Sequence, residues 1–345
     1  MIRIVTHVGL DPRTGGGVAA YVRNLAAVLA ASRCRHEILS VSQFSKFLML
    51  TAFLRYFSFR GTILLNSAFH PFSLLMILFS RSKNLIIMPH GEFLPAALEL
   101  NKRKKLVVLR ILKWLTTFFG ASRHVTIVAT SETEANNFAR YVSIRDVKIV
   151  QDVVHLPEQS KQANESPKGQ NNKLHVVMIG RMVRMKGFKK VLDNIAYQPL
   201  PEVASISVYY LDEDQVYLSE VEQAADRLRS SGMNVFLREG RDEGEIYSDC
   251  KDTNCVLIVP SVFESFSYVL IENLWMPNKP IVSFENGLTS YLGAKGHCRL
   301  VSDSGFSEAI RTNERADNFA VRDAIQCYAD AINSKTIEIL CGAET

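Results

Sequence analysis

Two glutamates, Glu264 and Glu272, sit in the run Pro260-Ser-Val-Phe-Glu264-Ser-Phe-Ser267-Tyr-Val-Leu-Ile-Glu272. The preceding Cys255-Val-Leu-Ile-Val259 has the pattern of a parallel strand buried on both faces. After it, Tyr268, Leu270, Ile271, Leu274 and Trp275 recur at near-helical spacing, which predicts a helix continuing toward Met276. A strand-to-helix turn points helix N–H groups and the positive end of the dipole outward, a natural seat for phosphate. If the helix starts near Ser267, Glu272 lies about 7 Å along its axis at 1.5 Å per residue. That is the depth of a ribose whose diphosphate rests on the helix tip, and a carboxylate there can accept from both ribose hydroxyls. Two glutamates so placed also suit a plain helix with one capping acid and one solvated acid.

A second pair, Arg181 and Lys186, follows the apolar run Val176-Val-Met-Ile179 and precedes another helical pattern. This puts both at the C-terminal rim of a parallel sheet, where open α/β folds bind ligands. Arginine offers a bidentate fork and lysine a mobile point charge, and both suit a diphosphate on which negative charge grows as it departs. The plainer reading is a basic helix start, reinforced by Arg184, Lys189 and Lys190. Cations are misplaced at that end of a helix for structural purposes. The loop is not a Walker A sequence, because its second glycine follows the lysine.

Together, Glu264-x7-Glu272 within Pro-Ser-x-x-Glu-x-Phe and the stretch Gly180-Arg181-Met-Val-Arg-Met-Lys186-Gly187 resemble the signatures of retaining glycosyltransferases of family 4. The resemblance is strongest from about Leu174 to Val301. It implies the GT-B fold: α/β, with two Rossmann-like doubly wound parallel-sheet domains facing across a cleft. It implies a nucleotide diphosphate sugar as donor, bound by Arg181 and Lys186 at the diphosphate, Glu264 at the sugar hydroxyls and Glu272 at the ribose. Ser265, Phe266, Ser267, Tyr268 and Val269 would line the donor, with backbone N–H groups from Phe266 to Val269 assisting. The family usually has glycine where this chain has Ser267, a departure that bears on the identity of the sugar more than on activity.

Gly15-Gly16-Gly17, between the first strand and first helix, lacks G-x-G-x-x-G but lets the backbone approach a ligand closely. The resemblance makes Gly16 and Gly17 donor-binding, although a flexible turn fits equally. Met88-Pro-His90-Gly91-Glu92-Phe93 resembles the family loop that sets a histidine beside the donor sugar. His90 is thereby expected to be catalytic, along with Arg181, Lys186 and Glu264, and Glu92 to bind the acceptor, against a purely structural histidine. Asp212-Glu213-Asp214 after a strand imitates the manganese motif of another glycosyltransferase fold. No metal and no other cofactor is expected.

Alternating strands and helices run almost throughout, which argues for parallel sheets with helices on both faces. Residues 157–173 carry no apolar side chain larger than alanine or proline and read as a linker. The expected organisation is an acceptor-binding domain over 1–156, a nucleotide-sugar domain over 174–315, and a helical segment over 316–345 packing back toward the first domain.

At 345 residues with 47% hydrophobic and 22% charged residues, the chain is globular and long enough for two cores. A net charge of +5 is too weak to argue for nucleic acid. The six cysteines show no C-x2-C pair or zinc spacing, and no secretory signal is read, so a reducing cytoplasm is expected. No run is apolar enough to span a bilayer. Asn101-Lys-Arg-Lys-Lys, leading into an apolar helix with Trp114, suits the surface of an anionic membrane, with Phe44 to Phe59 beside it; both stretches suit core helices equally.

The expected function is retaining, metal-independent transfer of a sugar to a hydroxyl of a glycan or lipid-linked acceptor. A UDP-sugar is favoured over a GDP-sugar, and the setting is bacterial surface polysaccharide (including lipopolysaccharide) synthesis at the inner face of the membrane. The alternatives are a nucleotide-sugar epimerase of the same fold and a non-catalytic nucleotide-sugar-binding subunit of an envelope assembly complex.

Overall fold

In the computed structural model, the described residues are 1–11, 16–41, 51, 54–94, 97–98, 102–119, 125–141, 146–156, 173–240, 242–251, 253–273, 275–302 and 304–341. The stretch 157–172, most of the predicted linker, and most of Phe44–Phe59 lie outside them. The chain divides into two compact units. The first comprises Met1–Asp11, Gly17–His155 and Ala329–Thr345, and the second Pro12–Gly16 and Leu156–Tyr328.

In the first unit the order is β1 (Ile2–Thr6), α1 (Gly16–Ala31), β2 (His36–Ser40), β3 (Thr62–Leu65), α2 (Pro71–Phe79), β4 (Asn84–Ile87), α3 (Lys102–Phe119), β5 (Val125–Ala129), α4 (Glu132–Tyr141) and β6 (Asp146–Ile149). Its six strands are all parallel, in the order β2-β1-β3-β4-β5-β6. Ile63, Leu65, Leu85, Ile87 and Ile127 from the sheet pack with Phe72, Met76, Phe93, Leu109 and Phe138 in one core. Burying each such side chain contributes about 1.5–3 kcal/mol.

The second unit runs β7 (Leu174–Arg181), a 3-10 turn (Arg184–Lys186), α5 (Phe188–Tyr197), β8 (Val203–Leu211), α6 (Gln215–Ser230), β9 (Asn234–Glu239), α7 (Glu243–Cys250), β10 (Cys255–Val259), α8 (Tyr268–Glu272), β11 (Ile281–Val282), α9 (Gly287–Ala294), β12 (Arg299–Leu300) and α10 (Phe306–Arg311). α11 (Asn318–Cys341) begins in this unit and ends in the first. The sheet is again all parallel, ordered β12-β11-β10-β7-β8-β9, the doubly wound arrangement in which successive crossovers reverse direction between β7 and β10. Every residue of β10 is buried, as its unbroken apolar run predicts.

The helices follow from their spacing. α5 buries Phe188, Val191, Leu192 and Ile195, and α6 buries Tyr217, Val221, Ala224, Ala225 and Leu228, each set on one stripe. Asp214 caps α6, accepting from the N–H groups of Val216 and Tyr217 at 3.1 Å each. α8 is shorter than its apolar spacing suggests and stops at Glu272. There Asn273 leaves helical geometry at φ −116°, its side chain donating back to the carbonyl of Val269 at 2.8 Å, with Pro277 not far ahead.

Candidate functional site

In the second unit the candidate donor residues gather where the sheet changes winding direction. Arg181 ends β7, Lys186 follows within one short turn, and Glu264 lies just beyond the end of the adjacent strand β10. Lys186 Nζ donates to Glu264 Oε1, and the two side chains are 16% and 15% exposed. Glu264 Oε1 also accepts from Ser261 Oγ at 2.7 Å, and its carbonyl accepts from Asn286 Nδ2 at 3.4 Å. The two loops are joined by backbone as well: the N–H of Val262 donates to the carbonyl of Met185 at 2.8 Å.

Gly187 makes this approach possible. Its φ is +67°, and a Cβ there would sit 2.1 Å from the carbonyl oxygen of Pro260. No other residue fits, on either backbone or steric grounds. The glycine of the Lys186-Gly187 pair therefore holds the lysine-bearing turn against the glutamate-bearing loop.

Arg181 is 45% exposed and pairs with Glu213, NH1 donating at 2.9 Å and 3.1 Å to its two oxygens. The acidic triplet is divided: Asp214 caps α6, Glu213 meets Arg181, and Asp212 accepts from Gln215. Among the described residues no group of three or more His, Cys, Asp or Glu side chains is placed to hold a metal ion. Ser265 and Val269 are partly exposed, while Phe266, Ser267 and Tyr268 are buried, the rings of Phe266 and Tyr268 meeting edge-on at 4.9 Å. Ser267, immediately before α8, is 3% exposed, and its Oγ has no partner among the described residues. A buried hydroxyl without a partner carries a desolvation cost of about 1–3 kcal/mol. Glu272 closes the same helix, partly exposed.

The first unit holds Gly17, His90 and Glu92, and Gly16 opens α1 with φ +59°. His90 follows β4 with φ +48°, unusual for a side chain of its size. Its imidazole is 4% exposed although the residue as a whole is partly exposed, so what it presents at the surface is mainly backbone. Nδ1 lies 3.0 Å from Asp152 Oδ1 and Nε2 lies 3.0 Å from Asn66 Oδ1. With an acceptor on each side, the ring is held as a double donor. Burial opposes the charge, but the Asp152 carboxylate, with Glu134 and Glu92 behind it, outweighs burial and holds the pKa above the usual histidine value.

Glu92 turns inward. It accepts from Ser67 Oγ at 2.5 Å and the N–H of Ala68 at 2.7 Å. Burial pushes its pKa up to about 7 against the pull of those hydrogen bonds and of His90. Glu134, fully buried, accepts from the N–H and hydroxyl of Thr130 at 2.9 Å and 2.8 Å.

Asn66, Thr130, Glu134 and Asp152 went unremarked in the sequence. The signal was there in a weak form: Asn66 and Thr130 directly follow apolar strands, and Asp152 stands three residues past β6. Only the strand order shows that such positions share one rim.

Two parallel six-stranded units with polar residues collected at their C-terminal rims define the class: the chain has the GT-B fold of nucleotide-sugar glycosyltransferases. Among solved structures it is similar to sucrose-phosphate synthase from Thermosynechococcus elongatus at 17% identity and TM-score 0.66, covering 98% of this chain and 97% of that one. HepE of Anabaena, solved with UDP and glucose, matches at 16% identity and TM-score 0.61, over 99% and 96% of the two chains. WaaG, a glycosyltransferase involved in lipopolysaccharide biosynthesis, matches at 13% identity and TM-score 0.63, over 99% and 100%. No family model and no curated sequence matches this chain.

Proposed function

We propose that this protein is a glycosyltransferase that moves a sugar from a nucleotide diphosphate sugar, a UDP-sugar by preference, to a hydroxyl of a glycan or lipid-linked acceptor. The observation that carries the reading is the Lys186–Glu264 pair, fixed by Gly187 across the winding reversal of a doubly wound sheet. The UDP and glucose bound to HepE and the nucleotide-sugar chemistry in the names of other neighbours support the donor class. Lys186 and Arg181 take the diphosphate, Glu264 the sugar hydroxyls, Glu272 the ribose, and the segment Ser265–Val269 lines the donor. Gly16, Gly17 and the main chain at His90 also serve the donor, and Glu92 positions the acceptor side through Ser67 and Ala68.

The chemistry is retaining. The donor's C1–O bond breaks, Lys186 and Arg181 stabilise the charge arriving on the diphosphate, and the acceptor oxygen bonds to C1 on the face the leaving group vacates. The acceptor's proton passes to the departing phosphate oxygen, and no metal or other cofactor is assigned a role. The likeness to WaaG supports a place in bacterial surface polysaccharide synthesis.

A cytoplasmic location at the inner membrane face is supported by α3. Val107, Ile111 and Trp114 stand on its outer face, 57%, 44% and 58% exposed, while Leu109 faces the core. Leu75 and Phe79 of the adjoining α2 are exposed as well. With the cationic run at residues 102–105, this face suits an anionic lipid surface. Among the described residues no helix is long and apolar enough to cross a membrane.

The test is thermal stabilisation by UDP, GDP, ADP or CDP, with and without EDTA, followed by transfer from the matching nucleotide sugar and assignment of the product anomer. One nucleotide at 100 times its Kd adds about 2.7 kcal/mol. If none stabilises, the donor site is wrong; if EDTA abolishes transfer, the metal-free chemistry is wrong; an inverted anomer overturns retention. Co-sedimentation with anionic but not neutral vesicles, lost in Trp114→Ser, checks the membrane face.

A further inference from the structure

Cys34 and Cys341 are 307 positions apart in the chain, and their sulfurs are 2.8 Å apart in the first unit. Cys34 lies in the turn between α1 and β2, and Cys341 is the last residue of α11. Both are half-buried free thiols, whereas Cys250, Cys255 and Cys298 are buried and Cys327 is exposed. The turn that carries Cys34 is firmly held: its N–H donates to the carbonyl of Leu29 at 2.8 Å, its carbonyl meets His36 Nδ1 at 3.0 Å, and Arg33 beside it takes φ +56°.

The far end of α11 is held too. Asn333 pairs in both directions with the backbone of Val154, at 3.1 Å and 2.8 Å, and Lys335 Nζ donates to the carbonyl of Ile149 at 2.9 Å. Two anchored segments thus bring their thiols closer than unbonded sulfurs ordinarily lie. A movement of less than about 1 Å reaches the 2.04 Å of a disulfide.

We propose that Cys34 and Cys341 are a modification site: in the presence of an oxidised low-molecular-weight thiol they close to a disulfide that fastens the end of α11 to the α1–β2 turn. The exchange balances in two steps. The Cys34 thiolate attacks the small disulfide, forming a mixed disulfide and releasing one thiol. The Cys341 thiolate then attacks the Cys34 sulfur and releases the second. Two protein thiols are oxidised, one small disulfide is reduced, and the two protons lost from the cysteines end on the released thiols. Burial, then the hydrogen bond to Cys34, pushes the Cys341 thiol up to about 12, so the second step quickens as pH rises.

The experiment is incubation of the whole protein with oxidised glutathione, followed by thiol counting in denaturant, peptide mapping and thermal melting. The expected result is a fall from six free thiols to four, a linked peptide joining Cys34 to Cys341, and a higher melting midpoint that dithiothreitol reverses. Cys34→Ser and Cys341→Ser each remove the shift. Six surviving thiols, or a linked peptide built on Cys327, overturns the proposal. Mapping of the unmodified chain decides the matter even if a serine variant folds poorly.

Discussion

The two rims face opposite demands. In the first unit the charged and polar groups turn inward and pair with one another: His90 between Asp152 and Asn66, Glu92 on Ser67 and Ala68, Glu134 on Thr130, although Asn66 Nδ2 finds no partner among the described residues. In the second, Arg181 is nearly half exposed in its pair with Glu213, Lys186 and Glu264 pair while partly exposed, and the Ser267 hydroxyl has no partner among the described residues. A buried, hydrogen-bonded network holds backbone in place, and the φ of +48° at His90 is the sort of strain such a network sustains. The second rim keeps its paired cations nearer the surface, within reach of an anion.

The sharpest way to break this contrast is Gly187→Ala. A Cβ 2.1 Å from the Pro260 carbonyl, at φ +67°, forces the Lys186 turn and the Glu264 loop apart. A loss of more than about 3 kcal/mol is expected, read as a lowered denaturant midpoint, together with loss of nucleotide binding. A stable, nucleotide-binding variant would show that the loops need no such contact. Lys186→Ala comes next. Transfer should fall about 10²–10³-fold, the usual cost of one preorganised charge donor. Because Glu264, 15% exposed, then loses its cation and keeps only the Ser261 hydroxyl, about 1–3 kcal/mol of stability should go too. A full-rate variant would make Lys186 structural.

The first rim is tested through pH. With a raised pKa, His90 contributes stability that is fully present below pH 6.5 and is lost as pH rises through its folded value. Glu92, at about 7 in the fold against 4.5 ordinarily, keeps its proton longer folded than unfolded, so stability falls as pH climbs from 4.5 to 7. Glu92→Gln should flatten that part of the denaturant-midpoint profile relative to the parent chain. Asp152→Ala should cost about 2–3 kcal/mol and bring the His90 titration, followed by NMR, down toward or below the ordinary value. An unmoved titration would mean that Asp152 does not hold the ring.

The smallest effect belongs to Ser267→Ala. Removing a hydroxyl that finds no partner among the described residues relieves its desolvation cost, so the fold should lose no stability, while KM for the donor rises if that hydroxyl meets the ligand. A marked loss of stability would show that the hydroxyl is already engaged within the fold.

The contrast between the rims also explains what the sequence disclosed. The second site is spelled out in two contiguous stretches at neighbouring strand ends, and there the structure joins Lys186 to Glu264, while Arg181 pairs with Glu213. The inward network of the first unit is assembled from single polar residues spread from Asn66 to Asp152, and only the order β1-β3-β4-β5-β6 brings them together. β10 was legible because a parallel strand buried on both faces is apolar throughout. The end of α8 was misread because Trp275 keeps a helical spacing after the backbone has already turned at Asn273. The two-residue strands β11 and β12 are too short to have a period.

The path of α11 has a consequence for how the molecule is made. Residues 329–341 belong to the unit whose strands are the first to be synthesised, and Asn333 supplies the side chain that holds the backbone of Val154. At roughly 5–20 residues per second, the ribosome delivers the whole second unit before that segment exists. The unit begun first is completed last, and until then Val154 waits without its partner. Nascent chains released before residue 329 should therefore carry a finished second unit and an unfinished first one.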